Sequence, residues 1–377
     1  MVILIVSGLA AILCVYYSCV LLFLYKGWKR IPNPSLERAS VKTKVSILIA
    51  ARNEEAHIGK TITAILAQDY PKHLMELLVV DDHSTDRTGE IIASYKADGV
   101  KLIRLHTDQK LNSYKKKAIS EAIAQSTGEL IVATDADCVM GTEWLRTIVT
   151  LYETKGYKLI SSPVIYHQEK SYFEQLQTLE FLYLIGLGAA SIGLRHPSTC
   201  NGANLAYRRD IFYELGGFQG IDDLASGDDE LFLHKVAQRY PLDIGFCKSE
   251  KAVVYTEAKQ NLKAFLSQRR RWASKSTKYK NKGIVLLGVG IWLFNLFILV
   301  TAIGSFFSEA MFLLCMALII VKMLAELFFL FPLTRFAHRQ KLLLGLPLLS
   351  ILHVFYMVYI GIAGNTGKYH WKGRLVR

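Results

Sequence analysis

The sequence predicts an α/β domain set between membrane-spanning helices, and three observations lead there. The 377 residues are 51% hydrophobic with only 8 prolines, too apolar a composition for a disordered chain. The apolar residues crowd toward the two ends, in uncharged runs long enough for a bilayer core, which takes about 20 apolar residues. Between them, short apolar runs alternate with helix-like segments, the pattern of a parallel sheet faced by helices.

Residues 1–25 carry no charge, and Lys26, Lys29 and Arg30 follow them. A secretion signal carries its positive charge ahead of the apolar stretch. This run therefore reads as a transmembrane helix with its N-terminus outside and residue 26 onward in the cytoplasm. Residues 26–44, with Pro32 and Pro34, read as a linker. The run 283–308 is preceded by Arg269, Arg270, Arg271, Lys275, Lys278, Lys280 and Lys282, which sets its start on the cytoplasmic side as well. Residues 45–282 then form a cytoplasmic domain that includes interfacial helices.

A third span, 310–333, contains Lys322 and Glu326 at a spacing that lets them neutralise each other on one helix face. A fourth run, 342–364, has Pro347 near its start. Were it a full crossing, Lys368, Lys372, Arg374 and Arg377 of the basic tail 365–377 would lie outside, against the charge rule. It is expected to be re-entrant or broken. Six cysteines with no C-x-x-C pair exclude a disulfide scaffold and a zinc ribbon. The net charge of +13 is concentrated beside the apolar runs, so membrane topology accounts for it better than nucleic acid does.

In the middle, VSILIAA (45–51), LLVV (77–80), KLIRL (101–105) and LIVAT (130–134) read as strands, and 55–66, 87–97 and 115–126 as helices. Ligands of such sheets bind at the carboxyl ends of the strands. The residues there are polar: Arg52, Asn53, Glu54 and Glu55 after the first strand, Asp81 to Asp86 after the second, Asp135 and Asp137 after the fourth. Helix caps and turns account for single residues of this kind, Thr85 and Asp86 among them. They account poorly for clusters converging on one edge. With no G-x-G-x-x-G and no phosphate loop, dinucleotide and P-loop folds do not explain the cluster either. Asp135 and Asp137, two apart at a strand end, suit a hard divalent cation held against a diphosphate, since Mg²⁺ and Mn²⁺ often use one or two carboxylates plus substrate phosphates.

The ordered set R-N-E (52–54), V-V-D-D-H-S-T-D (79–86), T-D-A-D-C (134–138), G-D-D-E (227–230) and Q-R-R-R-W (268–272) resembles the membrane-integrated glycosyltransferases of family 2. That family includes the ceramide glucosyltransferase, hyaluronan, cellulose and poly-N-acetylglucosamine synthase branches. The resemblance covers residues 45–275 and extends to the membrane layout. It implies a GT-A-type, Rossmann-like nucleotide-sugar domain between N- and C-terminal transmembrane helices. It also implies a nucleotide-diphosphate-sugar donor, Mg²⁺ or Mn²⁺, and transfer with inversion to a lipid or glycan acceptor. Carried over residue by residue, Ala51, Asn53 and Glu54 line the base and ribose pocket, with Asp82 beneath the base. Asp135 lies by the ribose and sugar, and Asp137 ligates the metal. Gln268, Arg271 and Trp272 close the acceptor and pyrophosphate end.

Two motifs depart from the family pattern. The third usually has a glycine before its lysine and an asparagine five residues after, where this chain has Tyr114, Lys115 and Ser120. Lys115 fits best, with Lys116 and Lys117 as rivals. The fourth is usually G-E-D, so Asp229 takes the position of the base and Asp228 that of the glutamate, while a register slipped by one makes Asp228 the base. Inverting displacement needs one carboxylate to take the hydroxyl proton and charge neutralisation on the leaving diphosphate.

For the acceptor, the apolar segment 171–195 reads either as a buried core helix or as a segment at the bilayer surface. The helix carrying Leu262, Phe265, Leu266 and Trp272 is also amphipathic at an interface. Asn201, Gly202 and Asn204 offer hydrogen bonds to an acceptor. Few spans favour one sugar added to a lipid, whereas Q-x-x-R-W favours a processive polysaccharide synthase. A catalytically inactive nucleotide-sugar-binding scaffold shares the fold, but the full set Asp135, Asp137, Asp228 and Asp229 argues for an enzyme. If residues 26–282 face the cytoplasm, a cysteine placed at Lys101 will not react with a membrane-impermeant thiol reagent in intact cells. Labelling before permeabilisation would contradict the topology.

Overall fold

The computed structural model describes residues 2–33, 41–106, 111–364, 369–371 and 374–376. Most of the linker's second half and part of the basic tail, including Lys368, Lys372 and Arg377, lie outside the described residues. The chain forms two compact units. One comprises Met1–Lys29, Glu169–Ala190 and Ala258–Gly367, the other Arg30–Gln168, Ser191–Glu257 and Lys368–Arg377. The expected single block 45–282 is thus divided, because two of its helical segments bury their apolar faces among the membrane-type helices.

The second unit is built on strands β1 (Val45–Ala51), β2 (Met75–Asp81), β3 (Lys101–Arg104) and β4 (Leu130–Asp135), all expected from sequence. These four are mutually parallel in the order β3-β2-β1-β4. β1, β2 and β4 have continuously buried middles rich in Val, Ile and Leu, as strands covered on both faces require. Helices α2 (Ile58–Leu66), α3 (Thr88–Ser94) and α4 (Tyr114–Gln125) connect them. The chain runs β1 to β2 to β3 on one side of β1 and returns on the other as β4, so β1 and β4 flank the switch point where such sheets bind ligands.

Beyond β4 the sheet continues with strands that the sequence did not reveal. β5 (Val139–Met140), β6 (Leu159–Ser161) and β7 (Val164–Tyr166) frame helix α5 (Trp144–Lys155). Further on come β8 (Leu205–Arg208), β9 (Ile244–Phe246) and β10 (Val254–Thr256). The main sheet ends β4-β8-β6-β9, with β8 antiparallel to both neighbours, and β5-β10-β7 form a smaller sheet. Trp144 is fully buried and donates its indole N–H to Asn204 Oδ1 at 2.9 Å, while Asn204 Nδ2 donates to the carbonyls of Pro163 and Ala252 at 2.8 Å. Asn204 is therefore a core fastening, and the expectation that it meets an acceptor is corrected.

In the first unit, α1 (Val2–Arg30) extends past the expected span so that Lys26 and Lys29 sit on its last turns. It is joined by α6 (Tyr172–Gly193), which follows β7, and, after the second unit's α7 (Arg209–Glu214) and α8 (Glu230–Arg239), by α9 (Leu262–Ala273), α10 (Lys282–Gly304), α11 (Glu309–Phe336) and α12 (Leu346–Ala363). Among the described residues, five helical stretches are long and apolar enough to cross a membrane: Ile5–Arg30, Tyr172–Gly193, Lys282–Gly304, Glu309–Phe336 and Gln340–Ala363. The second of these is the addition to the sequence reading, and it is largely buried in protein. Lys322 and Glu326 pair as their spacing predicts, and Glu326 also accepts from Tyr17 Oη at 2.8 Å and Ser350 Oγ at 2.6 Å. In the run 342–364 a 3₁₀ turn, Gln340–Gly345, leads directly into α12, whose first turn holds Pro347.

At the N-terminal edge of the main sheet, Glu76 accepts from Ser46 Oγ, from Thr127 N at 2.6 Å and from Lys101 Nζ at 2.7 Å. Burial raises the Glu76 carboxyl, but the bonds from Lys101, Ser46 and Thr127 outweigh it and hold it at about 2, below its ordinary value of 4.5. A depressed carboxyl contributes stability above its unfolded value, and that stability is lost as pH falls from about 4.5 toward about 2. Glu76→Gln should therefore destabilise the domain at pH 7 by on the order of 3 kcal/mol. It should also flatten the fall in melting temperature across that acid range. Parallel acid profiles for the two proteins would contradict this.

Candidate active site

The register of β1 with its neighbours places Ala51 beside Asp81 and Ala50 beside Asp135, so the polar segments after β1, β2 and β4 share one edge. The first two segments are laced together. Asn53, in the left-handed region at φ 51°, accepts at its side-chain oxygen from Thr85 N (2.8 Å) and donates its own backbone N–H to Ser84 Oγ (3.1 Å). Glu54 N donates to Thr88 Oγ1 at 2.7 Å. Arg52 donates to the carbonyls of Asp82 and His83 at 2.8 and 2.9 Å. Asp86 accepts from Thr88 N and Glu55 N, the turn role expected of it. Asp82 is buried, and its carboxylate meets His83 Nδ1 at 2.9 Å and a two-pronged guanidinium from Arg374.

The third segment carries the charge. Asp135 and Asp137 are half-buried on one side of the chain, alternating with buried Ala136 and Cys138, and Thr61 Oγ1 donates to the Ala136 carbonyl at 2.8 Å. Lys115, in the first turn of α4, reaches Asp135 Oδ1 at 2.8 Å and Asp228 Oδ2 at 3.2 Å. Burial pushes its ammonium down, but Asp135 and Asp228 outweigh that and hold it well above its ordinary range. Lys116, the rival, turns the other way. Its ammonium is enclosed by the carbonyls of Ile221, Leu224 and Ser226 at 2.6, 2.7 and 2.8 Å, and burial lowers it to about 8 despite the nearby aspartates. Lys117 is exposed.

The loop pinned by Lys116 runs into Gly227 (φ 85°), Asp228 and Asp229. Asp229 caps α8, with Oδ1 accepting from Glu230 N at 2.7 Å and Oδ2 from Gly202 N at 3.0 Å. These two bonds orient the Asp229 carboxylate. A Cβ at Gly202 would lie 3.3 Å from Asp229 Cβ and 3.4 Å from Asp228 Oδ2, which leaves little room for any larger residue. Asn201 Oδ1 accepts from Ala203 N at 2.9 Å and so shapes this turn.

Asp135, Asp137, Asp228, Asp229, Lys115, Asn201 and Gly202 all belong to the one unit, and Lys115, Asp135, Asp228, Asp229 and Gly202 are joined by the contacts above. Gln268, Arg271 and Trp272 stand on α9, in the other unit. There the residue between them is the anchor: Arg269 is buried, pairs with Glu180 of α6, and lies 4.2 Å from the Trp272 ring centroid. That pair had a sequence signal, an acid well inside an apolar helix and a run of three arginines. Lys116 and Arg374 were missed as partners because their contacts join distant parts of the chain.

Among the described residues, no three His, Cys, Asp or Glu side chains are grouped so as to hold a metal alone. Asp135 and Asp137 are hard oxygen donors, half-exposed, beside an excess of carboxylates over ammonium groups. They fit a divalent cation completed by substrate phosphates.

Residues 46–216 match the family described as Glycosyl transferase family 2. This stretch, somewhat under half of the chain, is thus similar to the family 2 glycosyltransferases. Similar proteins include a probable glycosyltransferase, YdaM, of Bacillus subtilis, 29% identical over 61% of this chain and 54% of its own length. A beta-monoglucosyldiacylglycerol synthase of Nostoc sp. is 25% identical over 61% of this chain and 48% of its own. A poly-beta-1,6-N-acetyl-D-glucosamine synthase of Staphylococcus epidermidis is 24% identical over 61% and 53%. The chain thus spans about half the length of these curated relatives. The solved mannosyltransferase PcManGT from Pyrobaculum calidifontis, in complex with GDP-Man and Mn²⁺, superposes with a TM-score of 0.59 over 92% of this chain and 99% of that one. At 18% identity this likeness establishes the GT-A-type fold alone.

The two lysines differ in their partners, Lys115 meeting carboxylates and Lys116 backbone carbonyls. Lys115→Met leaves Asp135 and Asp228 without their shared cation, and nucleotide-sugar binding measured by calorimetry should fall at least tenfold. Lys116→Met frees the loop before Asp228, so donor affinity should persist while transfer slows and thermolysin cleaves the 221–226 segment sooner. Equal loss of donor binding in both variants would contradict the division.

Proposed function

We propose that this protein transfers a single sugar, with inversion, from a nucleotide-diphosphate sugar to a lipid acceptor at the membrane. The observation that carries the proposal is the cluster of Asp135, Asp228 and Asp229 around Lys115 at the switch-point edge of a glycosyltransferase sheet, in a chain that also holds helices of membrane-spanning length. The B. subtilis and Nostoc relatives support the class of reaction, and the latter's name supports a lipid acceptor. The P. calidifontis enzyme, seen with GDP-Man and Mn²⁺, supports the donor class and the cation.

In the proposed reaction an acceptor hydroxyl oxygen attacks the anomeric carbon as the bond from that carbon to the diphosphate breaks. Asp229 takes the hydroxyl proton. Its oxygens are aimed by the N–H groups of Gly202 and Glu230, so the carboxylate is oriented before substrate arrives. Lys115 contributes positive charge as the diphosphate leaves, and the buried walls around it strengthen that contribution. Asp137 and Asp135 are the residues to hold Mg²⁺ or Mn²⁺, which when bound neutralises charge on the leaving group. Ala51, Asn53, Glu54 and Asp82 are assigned to the base and ribose, and Asn201 and Gly202 to the acceptor side. Gln268, Arg271 and Trp272 are assigned to the acceptor and diphosphate by resemblance alone.

The domain is proposed to face the cytoplasm, a reading the flanking basic clusters support. A processive polysaccharide synthase is the second reading, favoured by Q-x-x-R-W and by the S. epidermidis relative.

Excess EDTA is expected to abolish transfer, and Asp137→Ala to remove metal-dependent donor binding, whereas full turnover in EDTA would refute the cation's role. Asp229→Asn keeps size and cannot accept the proton, so transfer should fall by about 10²–10⁴-fold with the donor dissociation constant unchanged. Asp228→Asn should do less. If Asp228→Asn is the inactive variant and Asp229→Asn keeps its rate, the base is Asp228. If neither slows transfer tenfold, G-D-D-E is a capped helix start and the mechanism fails.

A further inference from the structure

The C-terminal segments β11 (Tyr369–Trp371) and β12 (Arg374–Val376) pair as an antiparallel hairpin. Arg374 at the start of β12 donates from Nη1 to Asp82 Oδ2 at 2.7 Å and from Nη2 to Asp82 Oδ1 at 3.0 Å, with His83 Nδ1 at 3.4 Å from Nη2. The same guanidinium lies 3.5 Å from the centroid of the Tyr114 ring. Its side chain is 16% exposed and that of Asp82 4%. Nearby, Arg52 has its own guanidinium lowered from the ordinary range by burial first and by the charge of Arg374 second.

Two of these partners carry independent meaning. Asp82 follows β2 on the edge assigned to the nucleotide, and Tyr114 stands where the family resemblance leads one to expect glycine. A ring at that position offers Arg374 a flat face, and the bidentate pair fixes the plane of the fork. We infer that the C-terminal hairpin is part of the donor site and that Arg374 is a nucleoside-diphosphate-binding residue. This rests on the donor-site reading above.

The geometry favours binding over blockade. The fork to Asp82 uses two of the guanidinium's five N–H groups, and a nucleoside diphosphate brings the negative charge that two neighbouring arginines attract. A donor that had to expel Arg374 would leave Asp82 as a buried carboxylate without its cation, an unfavourable state. A donor that binds against the Arg374–Asp82 pair keeps it. Asp82 then acts through the arginine it orients as well as toward the base.

The test uses the purified full-length protein in detergent with Mn²⁺, titrated calorimetrically with UDP and with GDP. Whichever nucleotide the native protein binds should lose about 10–100-fold in affinity in Arg374→Ala. Arg374→Lys, which keeps the charge and lacks the fork, should be intermediate. The double variant Arg374→Ala with Asp82→Asn should bind no worse than the weaker single variant, because the two act as one unit. Melting temperatures of all variants, measured without nucleotide, separate lost binding from lost folding, and Arg374→Lys serves if Arg374→Ala is unstable. Unchanged affinity in a folded Arg374→Ala protein overturns the inference and leaves the glycosyltransferase reading intact. Tighter binding overturns it too, by making the hairpin an inhibitory cover. If the native protein binds neither nucleotide, the donor-site reading itself falls and this inference with it.

Discussion

Lys115 is the interaction on which the site depends. Asp135 comes from the end of β4 and Asp228 from the loop before α8, and both meet the ammonium between them. Two like charges about 4 Å apart repel by about 4 kcal/mol at an effective dielectric of roughly 20. With Lys115 in place the carboxylates converge, Gly202 can approach Asp228 and Asp229, and the N-terminus of α8 falls where Asp229 caps it. The lysine neutralises one charge of several, so the edge stays acidic enough for a cation and polar enough for a diphosphate.

The same rule, a buried acid answered by a dedicated cation, recurs through the chain. Glu180 and Arg269 meet between α6 and α9, Glu326 is met by Lys322 in α11, and Asp82 is met by Arg374. Each pair ties segments into a register that apolar packing leaves open, at a desolvation cost that only good geometry offsets. In the first unit these pairs sit among Leu, Ile and Phe, where an unpaired charge would be expelled. In the second they sit at the strand ends.

The parallel half of the sheet was legible because β1, β2 and β4 are buried on both faces and so write themselves as unbroken apolar runs ending in Asp or Arg. The other half was not. β6, β7, β9 and β10 are three residues each and lie inside stretches that are apolar for several reasons at once. Among the site residues, the acidic motifs were visible as clusters after strands. The resemblance favoured Lys115 over Lys116 with both in one helical turn, and what the sequence could not show is that the loop 221–226 encloses the ammonium of Lys116. Asn204 was misread because an amide beside a glycine turn looks solvent-bound, whereas Trp144 and two carbonyls consume it. Arg374 was read as membrane charge, and its partner lies nearly the whole chain away. The segment 172–193 was read two ways, and burial of most of its length among other helices explains why its composition fitted both.

The central claim, one sugar moved from a nucleotide diphosphate to a membrane lipid, is tested most directly by product analysis. Purified protein reconstituted in vesicles of a total lipid extract, with Mn²⁺ and a panel of nucleotide sugars, would be followed by mass spectrometry of the lipid phase and by release of nucleoside diphosphate. The account predicts that one lipid class gains the mass of one sugar, in equal amount to the nucleoside diphosphate released. A ladder of long saccharides would contradict single transfer, and nucleoside diphosphate release with no sugar on any lipid would contradict the acceptor.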